Sequence, residues 1–192
     1  CKELAEEVLQ MKESTLGLVL IAISFFLITL GLFRRNSNFV ELRKVFIEHM
    51  ALFKNARYQY FIFYVYPLVM SIGISILYVA EKEMYRDITV AVSIFISMLL
   101  AILSIITTKD LSKYEPNQQQ RIKEVIKETS NAIVFCTAIS IFIICVSLIM
   151  TVIDFCKYQY LSRGVAIVIY YLLLVLLLNI LLIVKRMGKL LS

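Results

Sequence analysis

Five stretches of the 192-residue chain contain no Asp, Glu, Lys, Arg or His: residues 15–33, 61–80, 88–107, 132–153 and 165–184. All 20 Lys/Arg and all 14 Asp/Glu lie between or outside them. Each stretch is long enough to cross a hydrocarbon core of about 30 Å, which takes about 20 helical residues. Buried helices of a soluble domain are normally shorter and keep a polar face. With 60% hydrophobic residues and a mean hydropathy of +0.84, a water-soluble domain is excluded, because much of its area would have to face water. Disorder is excluded for the same reason. The predicted fold class is an all-α integral membrane protein. It has about five transmembrane helices, four plus an N-terminal one, with a short membrane-proximal cytoplasmic helical layer.

Other absences narrow the function. No GxSxG, HExxH, P-loop or GxGxxG pattern occurs, so no enzyme and no cofactor is predicted. Intramembrane aspartyl proteolysis needs Asp within the spans. Ion-coupled transport usually places ionisable groups there, and five spans leave little room for inverted repeats. The four cysteines, Cys1, Cys136, Cys145 and Cys156, include no pair at metal-ligand spacing. Cys136 and Cys145 fall on opposite faces of one helix and cannot bridge. Cys1 and Cys156 share the predicted outer side, so a bridge between them stays open. The only histidine, His49, sits beside an apolar stripe and reads as a packing residue. Trp is absent, so Tyr58, Tyr60, Tyr64 and Tyr66 take the interfacial role where the second span begins.

What charge there is alternates in amount. Segment 34–60 holds six Lys/Arg, 108–131 five and 185–192 three, giving 14, against 6 in the N-terminal segment and the two remaining loops. Basic loops favour the cytoplasm, which puts the N-terminus outside and the C-terminus inside. No nucleic-acid motif accompanies the charge, so it reads as topology and anionic-lipid contact. The chain starts at Cys1 rather than Met, which reads as truncation, with a lipid-modified cysteine as the alternative.

Along the chain, residues 1–14 form a polar helical extension that runs into the first span, where Gly17, Ser24 and Gly31 recur at seven-residue spacing. In the first basic segment, Phe39, Leu42, Phe46, Met50 and Phe53 predict an amphipathic cytoplasmic helix over 37–55. Arg34, Arg35, Arg43, Lys44, Lys54 and Arg57 are its candidate contacts to lipid or to a soluble partner. Pro67 predicts a kink in the second span. Residues 81–87 predict a short turn that makes spans two and three an antiparallel hairpin. Pro116 suits a helix start, and from Asn117 nothing breaks the helix before Ile153. That predicts a rod of about 55 Å, whose first part, 117–130, projects into the cytoplasm. Gly188 predicts the end of the last helix, ahead of a basic tail over 185–192.

Inside the spans, hydroxyls align. At about 100° per residue, Tyr64, Pro67, Ser71, Ser75 and Tyr78 share one face of span two. Thr89, Ser93, Ser97, Ser104 and Thr108 share a face of span three, and Thr137, Ser140, Ser147 and Thr151 a face of span four. Asn179 is an isolated amide in the nearly pure hydrocarbon of the last span. Such groups turn from lipid toward protein or water. Two readings follow. The stripes pack against one another within one bundle, bonding to backbone carbonyls. Alternatively, several chains assemble and a stripe lines a hydrated pore. Asn179 likewise bonds to span four of its own chain or forms a ring across subunits.

The order of a Pro-containing span ("YVYPLVMSIGISIL"), a Ser/Leu-rich span ("SIFISMLLAILSII"), a Lys/Glu helix running through Asn131 ("IKETSNAIVFCTAIS") and a last span ending "LLIVKRMGKLL" resembles the membrane components of Kiwa-type bacterial antiphage systems and their relatives. It covers residues 64–191, and this chain adds a first span and a Glu-rich N-terminus to the family's four-span form. The resemblance implies a homo-oligomer that senses envelope perturbation or permeabilises the inner membrane, working with a soluble cytoplasmic defence partner. It carries over no catalytic residue. The alternatives are a membrane scaffold that recruits a soluble partner through the basic layer, or a small-solute transporter subunit.

Overall fold

The computed structural model describes residues 61–78, 81–110, 115–152 and 159–191, with single helical positions at 17, 19, 20, 23, 24, 47 and 58. Apart from those single positions, the predicted first span and the 37–55 helix, with Arg34, Arg35, Arg43, Lys44, Lys54 and Arg57, lie outside the described residues. Every described element is helical: a π-helical turn Phe61–Val65, then α1 (Tyr66–Leu77), α2 (Lys82–Thr107), α3 (Pro116–Val152) and α4 (Gln159–Leu191). Three of these, over Lys82–Thr107, Gln118–Val152 and Ser162–Gly188, are long and apolar enough to cross a membrane. Phe61–Leu77 is a shorter apolar helical stretch. The described part of the chain is therefore membrane-protein-like and all-helical, with three such helices rather than a demonstrated five.

Proline shapes both places where it occurs. Pro67 has no N–H to donate and crowds the carbonyl four residues before it. The chain answers with the π turn at Phe61–Val65, which carries hydrogen bonding past the missing donor. The predicted kink is thus expressed as a wider turn just ahead of the proline. Pro116 opens α3, and the Glu115 carbonyl in front of it accepts the Gln118 and Gln119 N–H groups at 2.9 Å each. From there α3 runs 37 residues without interruption, as its lack of breakers predicts.

Two predicted ends move. Residues 81–87 are not a turn: Glu81 is extended, with φ −96° and ψ 163°, and α2 begins at Lys82. Good helix formers with no Gly or Pro let the span extend outward through this polar segment. Gly188 does not end the last helix, which continues to Leu191, and no described glycine has positive φ. A glycine stops a helix only when it takes the left-handed cap conformation.

The helices line up in the order α1–α4–α3–α2, with each adjacent pair in contact. The predicted hairpin of spans two and three is accordingly not a packed pair. Instead α1 lies on α4, and α2 lies on α3. Buried side chains recur every seven residues: Tyr85, Val92, Leu99 and Ile106 on α2; Thr129, Cys136, Ile143 and Met150 on α3; Ile169, Leu176 and Ile183 on α4. That period produces a seam of interlocking side chains between helices crossing at about 20°. In hydrocarbon such seams hold by close packing, since lipid removes the hydrophobic drive between helices.

Candidate functional site

Chemistry in an apolar helix bundle resides in its few polar side chains, and these fall into two sets. The first lies on α2. Ser93, Ser97 and Ser104 are all exposed, on the side of α2 turned away from α3. Their hydroxyls, where bonded, bond within the helix. Thr89 donates to the Tyr85 carbonyl at 2.9 Å, Ser93 to that of Thr89 at 2.8 Å, and Ser97 to that of Ser93 at 3.1 Å. Thr108 closes the row by donating to the Ser104 carbonyl at 3.0 Å. A hydroxyl folded back on its own helix has met its hydrogen-bonding need and can face hydrocarbon.

The second set is buried or half-buried. On α1, Ser71 donates to the Leu68 carbonyl at 2.8 Å, and Ser75 reaches across to the Arg163 carbonyl of α4 at 3.5 Å. On α3, Thr129 donates to Val125 at 2.6 Å, Thr137 to Ile133 at 2.9 Å and Thr151 to Leu148 at 2.7 Å. Ser140 and Ser147, one helical heptad apart, are completely buried, and neither hydroxyl has a hydrogen-bond partner. Asn179 on α4 is also completely buried. Its Nδ2 donates to the Val175 carbonyl at 2.8 Å, while its Oδ1 is unpaired. An unmet buried acceptor of this kind costs about 1–3 kcal/mol.

The structure therefore separates residues that the sequence aligned. Ser71, Ser75, Ser140, Ser147 and Asn179 lie inside the chain, with Thr137 and Thr151 half-buried, while Ser93, Ser97 and Ser104 lie on its outer surface. The three stripes do not pack against one another. Asn179 bonds to its own helix and not across to α3, and its complete burial keeps it from the surface that a second subunit would touch.

Two features had not been singled out in the sequence. Arg186 on α4 meets Glu128 on α3 at 3.5 Å, tying the last turns of α4 to the early part of α3. Nothing in either residue's own neighbourhood signals the other; only the antiparallel helix pair brings them together. The second feature is a cleft of about 400 Å³ where α1 and α2 part, lined by Ile74, Tyr78, Glu81, Glu83, Met84, Asp87 and Tyr170. The Tyr170 hydroxyl donates to the Met84 sulfur at 2.7 Å across it. The acids of "EKEMYRD" carry its only sequence signal. Among the described residues no three His, Cys, Asp or Glu side chains are placed to hold a metal, and Cys136 and Cys145 are both free thiols.

No protein-family model matches the chain, and neither a curated protein nor a solved structure matches it.

Proposed function

We propose that the chain is the oligomeric inner-membrane component of a bacterial antiphage system and acts by opening a path for ions across that membrane. The reading rests on the outward hydroxyl face of α2. Four hydroxyl residues, Ser93, Ser97, Ser104 and Thr108, are exposed along one helix that is long and apolar enough to span. Copies of the chain brought around a common axis would turn that face from lipid toward a shared polar space. Walls of uncharged hydroxyls pass water and ions with little selectivity. The alternation of basic segments puts the α2–α3 connection and the end of α4 in the cytoplasm, where a soluble partner would meet them. The order of spans resembling the Kiwa-type membrane components supplies the defence setting.

The test is potassium release from liposomes of inner-membrane lipids holding the purified chain, with a voltage applied across the vesicle. Release from the wild type, reduced severalfold by Ser97→Leu with Ser104→Leu, is the expected result. No release by any form at any voltage overturns the pore and leaves a sensor of membrane perturbation, which depolarisation drives without conducting.

A further inference from the structure

The cleft of about 400 Å³ between α1 and α2 follows from the order of the helices. Because α1 packs on α4 and α2 on α3, the two ends joined by the short connection stand apart, and Tyr170 of α4 enters the wall between them. The volume falls in the range of small-molecule sites, about 300–1,000 Å³. The segment "EKEMYRD" sorts its charges around this space. Residues four apart share a side of a helix. Glu83 and Asp87 are such a pair, and both line the cleft, as does Glu81 just ahead of α2. Lys82 and Arg86 are the matching basic pair, and neither lines it. The three acids are exposed, and no ion pair among the described residues engages them. Carboxylates of one sign beside apolar walls concentrate cations.

The rest of the wall says which cation. Among the described residues no three carboxylates are placed to hold a metal ion, so these acids do not converge on one point. They share the cleft with the apolar side chains of Ile74 and Met84 and with the rings of Tyr78 and Tyr170. Aromatic faces attract ammonium groups, and apolar side chains take up methylenes. Tyr170 is only 5% exposed, yet the one bond of its hydroxyl goes to the Met84 sulfur at 2.7 Å. A thioether is a weak acceptor, and among the described residues no donor bonds to the Tyr170 oxygen. A buried phenol with an open acceptor is a place for an N–H donor. Separated carboxylates, aromatic rings and this acceptor call for several N–H groups spaced along an apolar stem. We propose that the cleft binds a linear aliphatic polyamine, with its ammonium groups at Glu81, Glu83 and Asp87, its methylenes on Ile74 and Met84, and one N–H donated to the Tyr170 hydroxyl.

Titration calorimetry on the purified full chain tests the site, in an uncharged detergent at low salt with spermidine as the probe. Saturable binding of one spermidine per chain is the expected result. Glu83→Gln with Asp87→Asn is expected to weaken it about tenfold. Tyr170→Phe removes the open acceptor, for an expected loss of about threefold. Glu115→Gln with Glu124→Gln removes two exposed carboxylates beyond the other end of α2, and binding is expected to stay within about twofold of wild type. Helical content by circular dichroism should match wild type in both carboxylate variants, since all four side chains are exposed. Calcium chloride at the same concentration is expected not to displace spermidine. No saturable binding overturns the proposal. Equal effects of the two carboxylate pairs, or none from either, overturn it in favour of diffuse attraction between charges. Displacement by calcium overturns it in favour of a metal site.

Discussion

Ser97 on α2 and Ser147 on α3 are the same residue in helices that are packed together, yet they live in opposite ways. Ser97 is exposed and donates to its own helix at 3.1 Å. Ser147 is completely buried and donates to nothing. An exposed hydroxyl in an apolar surface must be satisfied locally, because nothing outside will do it. A buried one is held by the shape of its surroundings, and its small size counts for more than its oxygen. The lesson is that hydroxyl residues of an apolar bundle divide into polar groups that are already satisfied and space-savers that are not.

The sharpest way to break the comparison is to enlarge both residues. Ser147→Leu forces a larger side chain into a filled seam and is expected to lower stability by about 1–3 kcal/mol in denaturant unfolding from micelles. Ser97→Leu adds the same atoms to an open surface and is expected to stay within about 0.5 kcal/mol of wild type for the single chain. Equal losses would show that burial does not separate the two sets. A smaller effect isolates the bonded member of the buried set. Thr129→Val keeps shape and removes the 2.6 Å bond to the Val125 carbonyl, for an expected loss of about 1 kcal/mol. Smaller again, Asn179→Leu removes an amide whose oxygen is unpaired, so stability should change by less than about 1 kcal/mol in either direction. A loss beyond about 3 kcal/mol would mean that the amide bonds where the structure gives it no partner. Smallest is Glu128→Gln. Its carboxylate is half exposed, so breaking the pair with Arg186 should cost under about 1 kcal/mol, and less at high salt, as melting at two ionic strengths would show.

Much of the helical plan was legible. The uncharged runs over 88–107, 132–153 and 165–184 lie within α2, α3 and α4, apart from Ile153, which falls outside the described residues. Pro116 marked the start of α3, and the absence of breakers marked its length. These signals are local, carried by composition and by backbone chemistry. Partner choice was not local. Spans two and three are joined by a few residues, yet α1 packs on α4, where Ser75 finds the Arg163 carbonyl. Fit between surfaces decides that, and a serine stripe does not reveal which neighbour it fits. For the same reason the periodicity grouped Ser93, Ser97 and Ser104 correctly on one face but could not say that this face points outward. Gly188 failed as a stop because glycine permits a left-handed cap without compelling one.

One consequence of α3 is mechanical. Between Pro116 and Val152 it contains no glycine and no second proline, and no π or 3₁₀ turn interrupts it. Helix bends concentrate at such points, so a rod of about 55 Å without them is stiff in torsion as well as in bending. Arg186 of α4 ties to it through Glu128, about a third of the way along, and beyond that point Cys136, Ile143 and Met150 lock it into the seam of buried side chains. A displacement applied at one point is therefore carried along the whole helix as the movement of one piece. In an engineer's vocabulary α3 is a keyed spar, stiff along its length and held against turning by the seams it shares with its neighbours.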